Sequence, residues 1–190
     1  MKRIIISILT LMLAFTLFGC GSSSNSSANY VRFEMENGDV FIVELYPAVA
    51  PETVANFKNL VASGFYDGLT FHRVETDILI QGGDPKGNGT GSSDKAIKGE
   101  FASNGYTKNT LKHTEGVISM ARTSNPNSAT CQFFICITAL PTLDGDYAAF
   151  GKVVYGMDAV KAIGSCAVNG NKPIEKQVIK SATLVDSIDN

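Results

Sequence analysis

The chain has 190 residues, of which 44% are apolar and 18% charged, and its formal net charge is -2. This composition excludes disorder over most of the length, and the size suits one domain with appendages rather than two full domains. No basic stripe stands out, so nucleic acid is excluded as an expected partner.

Residues 1–20, MKRIIISILTLMLAFTLFGC, set Lys2 and Arg3 ahead of a long uncharged apolar run and a small residue before Cys20. That order is the pattern of a secretory signal; a buried helix would have no reason to begin at the N-terminus behind two cations. Residues 1–19 are therefore expected to be a signal peptide. The ending LFGC resembles the bacterial lipobox, and this resemblance implies acylation of Cys20. The product would be exported and lipid-anchored to the bacterial cell membrane on its extracytoplasmic side. Residues 20–29 then comprise the lipidated Cys20 and a polar, Ser-rich linker, GSSSNSSAN.

From Tyr30 the pattern becomes strict alternation, with Val31, Phe33 and Met35 on one face and Arg32, Glu34 and Glu36 on the other. Asn37-Gly38 marks a turn, and Phe41, Val43 and Leu45 resume the alternation, so a β-hairpin opens the domain, which spans residues 30–190. Val54, Phe57, Leu60 and Val61 then fall at helical spacing, with Pro51 in the first turn and Gly64 placed to stop a helix over Pro51 to Ser63. Gly82 to Asn109 shows no sustained period and reads as long loop around short strands. Strand-like runs return at GVISMA, QFFICIT, AAFGKVVY and KQVIKSATLV, with a short helix from Met157 to Ile163. Many strands, two helices and no βαβ alternation predict an antiparallel sheet or barrel with helices capping it.

Several chemistries lack their raw material. Gly87 to Gly91 has the wrong spacing for a dinucleotide loop, and no helix follows it. A calcium loop starting at Asp84 would put Lys86 and Lys95 at ligand positions. His72 and His113 are the only histidines and have no ligand partner at helical spacing, so no metal site is expected. The G-x-S-x-G elbow of a serine hydrolase is absent. Setting Cys20 aside leaves three cysteines, an odd number that argues against a disulfide framework. Cys131 and Cys136 lie five apart in what reads as one strand, so they point to opposite faces and cannot bridge; buried thiols are expected.

Three segments remain: FHRVETDILIQGGDP, SMARTSNPNSATCQFFI and LDGDYAAFGKV. Together with NGDVFIVELYPAVAPETVANFKNLV, GFYDGLTFHRV and FGKVVYGMDAV they resemble, in order and spacing over Tyr30 to Val185, the cyclophilin family of peptidyl-prolyl cis-trans isomerases. The resemblance implies a mainly β fold, a closed eight-stranded antiparallel barrel capped by two α-helices, with a proline-binding groove on its outer surface. It implies Arg73 and Gln81 as catalytic residues. His72, Ile78, Leu79, Ala121, Arg122, Gln132, Phe134, Leu143 and Tyr147 would bind substrate, His72 by bracing a hydrogen-bond network and Phe134 by flooring the proline pocket. No cofactor is called for.

The residues agree with that reading on physical grounds. Rotation about an X-Pro amide breaks no bond, so it needs donors that favour the twisted nitrogen rather than a nucleophile, and Arg73 supplies a permanently charged donor fork. Arg73, Leu79 and Gln81 share odd numbering across a possible strand pair, while Gln132 and Phe134 share one face of QFFICIT. The sequence also departs from the family. Ile78 stands where an aromatic is common, Leu79 where Met is common, and Glu75 and Thr76 where apolar or Pro-containing residues are typical. Tyr147 replaces a frequent His, and Thr142 a Trp of many eukaryotic members, which predicts weak binding of cyclosporin-type ligands. The expected partners are proline-containing polypeptides and, through Cys20, a membrane; the chain is expected to act as a monomer. The alternative is a non-catalytic proline-peptide-binding or holdase module tethered to the membrane. A solute-binding lipoprotein is disfavoured, because such proteins need two larger lobes.

Overall fold

The computed structural model describes residues 28–189; the apolar leader, Cys20 and most of the Ser-rich linker lie outside the described residues. The chain runs through β1 (Tyr30–Met35), β2 (Val40–Leu45), α1 (Pro51–Ala62), β3 (Thr70–Glu75), β4 (Leu79–Gly82), β5 (Val117–Met120) and β6 (Phe133–Cys136). It continues through β7 (Ala149–Tyr155), α2 (Met157–Gly164) and a short separate hairpin, β8 (Val168–Asn169) with β9 (Lys172–Pro173), to β10 (Gln177–Val185). Eight of these strands close into an antiparallel barrel in the order β1-β10-β3-β4-β6-β5-β7-β2, as the sequence resemblance implied.

The alternation in β1 does what it forecast: Val31, Phe33 and Met35 are buried, and Phe33 stacks on Phe41 across the hairpin at 4.7 Å between ring centroids. Phe57, Tyr66, Phe71, Phe133 and Phe150 complete an aromatic interior whose rings meet tilted or edge-on. The turn is longer than a two-residue hairpin, since β1 ends at Met35 and β2 begins at Val40, and Gly38 takes a φ of 90° there. In β5 and β6 every residue is buried, because the strands are covered on both faces. Ile118, Met120, Phe133 and Ile135 point into the barrel, while Phe134 and Cys136 join Leu79 in a second apolar cluster on the outside. That outer cluster is what makes a groove possible.

Helix α1 begins at Pro51 without a side-chain cap of its own. Its free N–H groups are instead met from a distant loop: the Glu100 carboxylate accepts from Glu52 N at 3.0 Å, Thr53 N at 2.7 Å and Thr53 Oγ1 at 2.6 Å. Glu100 belongs to the long connection between β4 and β5. Short strands were expected in this region; it holds one isolated bridge, Ile97 to Ala129, and a single 3-10 turn at Ala102–Asn104. Ile97 and Phe101 pin the loop to the core, so it is ordered by anchors rather than by a ladder. Cys131 precedes β6 rather than sharing it with Cys136, and Cys131, Cys136 and Cys166 are all free thiols. The β8–β9 hairpin, too short to show a period, was not anticipated.

Replacing Glu100 by Ala strips the α1 N-terminus of three charge-assisted hydrogen bonds in a buried setting. Urea denaturation should show a loss of about 2–4 kcal/mol.

Candidate active site

The site begins with an irregularity. Strands β3 and β4 pair Phe71 with Gly82 and Arg73 with Gln81, so His72 is an extra residue in a β-bulge. Phe71 faces the core; strict alternation would send Arg73 after it. The bulge reverses the parity, so that Arg73 and Glu75 face outward while Val74 enters the core. Gln81 then lies beside Arg73 on one side and beside Phe134 on the other. Just beyond it, Gly83 takes a φ of 81°, and a Cβ there would sit 2.6 Å from the Cys131 carbonyl oxygen, so only glycine fits the turn that ends β4.

A directional chain of hydrogen bonds crosses this face. Arg73 Nη1 donates to Gln81 Oε1 at 3.0 Å, Gln81 Nε2 donates to Gln132 Oε1 at 3.0 Å, and Gln132 Nε2 donates to the Gly91 carbonyl at 2.8 Å and the Gly89 carbonyl at 3.2 Å. Each amide therefore has a defined orientation. The other end of the Arg73 fork, Nη2, is bound by the Glu75 carboxylate. The loop receiving the chain is itself stapled, because Asp84 accepts backbone N–H groups from Lys86, Asn88 and Gly89. Burial alone would raise the Asp84 carboxyl; those three donors, with His72 nearby, carry it below its ordinary value instead.

Beside the polar chain lies a groove of about 340 Å³ lined by Arg73, Glu75, Leu79, Gln81, Ala121, Arg122, Phe134, Leu143 and Tyr147. Eight of those nine are site residues that the family resemblance implies; the ninth, Glu75, is one of the departures from it. Gln132 lines an adjoining cavity of about 260 Å³ that shares Gln81, Ala121 and Arg122 with the groove. His72 and Ile78 are not brought into the groove: His72 lines a different cavity, and Ile78 sits at the β3–β4 turn, 41% exposed. The ring of Phe134 forms the floor. Tyr147 meets it edge-on at 5.8 Å, and His113 stacks behind it at 5.9 Å. Arg122 lies over Tyr147 at 4.5 Å, while its Nε and Nη2 donate to the Asp146 carbonyl and its Nη1 to that of Thr123. With those donors engaged it acts as a wall.

His113 was missed as part of this site because it shares no motif with Phe134. Its Nδ1 faces Asp144 Oδ1 at 3.1 Å and its Nε2 faces Ser119 Oγ at 3.0 Å, so the neutral ring donates to the carboxylate and accepts from the hydroxyl. The connectivity is that of a hydrolase triad, yet Ser119 is completely buried and can meet no substrate. Cys136 is no nucleophile either, since burial and the nearby Asp144 charge push its thiol up to about 12. The face offers a fixed cation beside an apolar slot.

The chain has recognisable relatives among known proteins. Residues 30–184 match the family described as cyclophilin type peptidyl-prolyl cis-trans isomerase/CLD. A probable peptidyl-prolyl cis-trans isomerase of Brucella suis is 38% identical over 192 residues, covering 92% of this chain and 94% of its own. Peptidyl-prolyl cis-trans isomerase B of Bacillus subtilis is 44% identical over 129 residues, covering 68% of this chain and 86% of its own. Among solved structures, a cyclophilin-type isomerase of Cryptosporidium parvum, crystallised in the presence of the dipeptide Ala-Pro, superposes with a TM-score of 0.75 at 33% identity. The match covers 83% of this chain and 99% of that one.

Burial pushes the His113 imidazole below its ordinary value of 6.5, against the pull of Asp144. The unfolded chain then binds the proton more readily, so this contribution to stability is complete above about pH 6.5 and is lost as pH falls from there through the lower folded-state value. The urea midpoint should drop between pH 7.5 and about 5, and His113→Gln should flatten the slope.

Proposed function

Because the chain belongs to the cyclophilin-type peptidyl-prolyl cis-trans isomerase family, we propose that its isomerase activity is delivered by Arg73 and serves exported proteins folding beside a membrane. The chain is a peptidyl-prolyl cis-trans isomerase. The observation that carries the rest of the reading is the Arg73 guanidinium, held by Gln81 and Glu75 at the mouth of an apolar groove.

The barrier to rotating an X-Pro bond, about 18–20 kcal/mol, is the amide resonance lost when the bond is twisted. At the twisted midpoint the lone pair settles on the prolyl nitrogen, which becomes a hydrogen-bond acceptor it was not in the planar state. A donor that reaches that nitrogen binds the transition state and not the ground state. Arg73 retains N–H groups beyond those given to Gln81 and Glu75, and it cannot lose its charge. The prolyl ring rests on Phe134, against Leu79, Leu143, Ala121 and Tyr147, which fixes one side of the bond while the other turns. Gln81 acts chiefly by holding Arg73; its second amide hydrogen remains for the substrate backbone. The substrate class is a proline-containing peptide, in keeping with the Ala-Pro dipeptide present with the Cryptosporidium relative.

The membrane context rests on residues 1–20. Two cations, an apolar run and LFGC ending at Cys20 support a cleaved leader and a lipid anchor, with the Ser-rich linker as spacer. Exported chains whose folding waits on prolyl steps of tens of seconds would be the clients.

In a peptide exchange assay Arg73→Ala should lower kcat/KM by about 10²–10³-fold, as loss of one transition-state donor does elsewhere. Equal rates for wild type and variant would remove Arg73 from the mechanism and favour a binding module. Metabolic labelling with a fatty acid should mark wild type and not Cys20→Ala; equal labelling would sink the anchor. With Thr142 exposed in place of an aromatic, calorimetry should find weak cyclosporin binding, and a tight complex would contradict that expectation.

A further inference from the structure

On the far side of the His72 bulge from the Arg73 groove lies a separate cavity of about 310 Å³. It is bounded by β3, by the loop after β4, and by the segment from β9 into β10. Lys86, Lys172 and Lys176 line it, one from the loop and two from the β9–β10 segment. None of the three forms an ion pair with a described residue, although the chain as a whole carries more acidic than basic side chains. All three are exposed, so solvent screens their mutual repulsion, but together they give the concavity a positive potential that favours an anionic visitor.

The one acidic group lining the cavity is Asp84, and its carboxylate is turned into its own loop, where three backbone N–H groups occupy it. His72 lines the same cavity. Both its ring nitrogens are shielded from solvent, and the ring interacts with the Thr70 backbone. Atoms so shielded cannot touch a bound oxygen, so the imidazole shapes the wall of the cavity and the lysines, not the ring, face a visitor. Burial pushes the His72 imidazole below its ordinary value, with the nearby Asp84 only partly offsetting this. The ring thus adds no fourth charge to the wall.

We propose that this cavity is a binding site for a phosphate group carried on a small polar substituent. The Lys86, Lys172 and Lys176 ammonium groups supply the charge, and the Thr70 hydroxyl supplies a directed hydrogen bond. Lysines bind phosphate as point charges and need no planar fork. The cavity lies at the lower end of the size range for small-molecule sites, larger than bare phosphate needs and suited to a phosphoglycerol-sized group. A free phosphorylated metabolite and an anionic lipid headgroup share this chemistry. The site stands apart from the isomerase groove, and its reading does not depend on Arg73.

The test is a titration of the full chain with glycerol phosphate at constant ionic strength, followed by amide shifts in two-dimensional NMR. Saturable shifts confined to residues 68–72, 84–87 and 172–176 are expected. The triple variant Lys86→Gln, Lys172→Gln, Lys176→Gln should weaken the affinity about tenfold or more while keeping the isomerase rate. Flotation of the Cys20→Ala chain with phosphatidylglycerol vesicles, against phosphatidylcholine vesicles, separates the sources: lysine-dependent preference for the former identifies a headgroup, and no preference with glycerol phosphate bound identifies a soluble ligand. Shifts that sodium chloride reproduces, or an affinity unchanged in the triple variant, would overturn the site.

Discussion

The Arg73 guanidinium is gripped at both ends, by the Gln81 amide oxygen on Nη1 and by the Glu75 carboxylate on Nη2, and the outer face of the barrel is organised around that grip. A free arginine would surrender about 2 kcal/mol of rotamer entropy each time it met a substrate; here much of that ordering precedes binding. The grip passes through Gln81 to Gln132 and ends on the carbonyls of Gly89 and Gly91. That loop cannot drift, because Asp84 holds three of its N–H groups and a Cβ at Gly91 would fall 1.8 Å from Asp84 Oδ1. The position of one cation thus depends on a stapled loop two side chains away.

The barrel supplies the other half of the site by burying β6 on both faces. Phe133 and Ile135 belong to the interior, whereas Phe134 and Cys136 belong to the outer cluster with Leu79. Phe134 is 4% exposed and held between His113 and Tyr147, so the floor of the groove is nearly as rigid as core. An apolar slot with a fixed floor and a fixed cation at its edge is what rotation about an amide asks for. No acid, base or nucleophile has to be placed.

The sequence carried most of this architecture in its periodicity. Alternation in β1 and β2 and helical spacing in α1 mark residues whose burial is decided locally, and the motifs around Arg73, Gln132 and Tyr147 mark the groove. What could not be read were contacts that depend on long-range closure. Glu100 looks like a loop charge until the fold sets it under the first turn of α1, forty-seven residues from Thr53. His113 has no motif in common with Phe134, yet it backs that ring. Parity for Arg73 and Gln81 held only downstream of the His72 bulge; Phe71, also odd-numbered, faces inward, and a register slip of that kind leaves no trace in a hydrophobicity pattern. The same bulge explains why His72, adjacent to Arg73 in sequence, serves another cavity.

If Arg73, Gln81 and Gln132 act as one unit, their effects on catalysis cannot be independent. The most direct measurement is a double-mutant cycle in kcat/KM between Arg73→Ala and Gln132→Ala, residues that do not touch each other but share Gln81. Gln132→Ala should reduce the rate about five- to tenfold in the wild-type background, about 1 kcal/mol, and have almost no effect once Arg73 is gone. Strictly additive losses would contradict the relay and leave Arg73 to act without it.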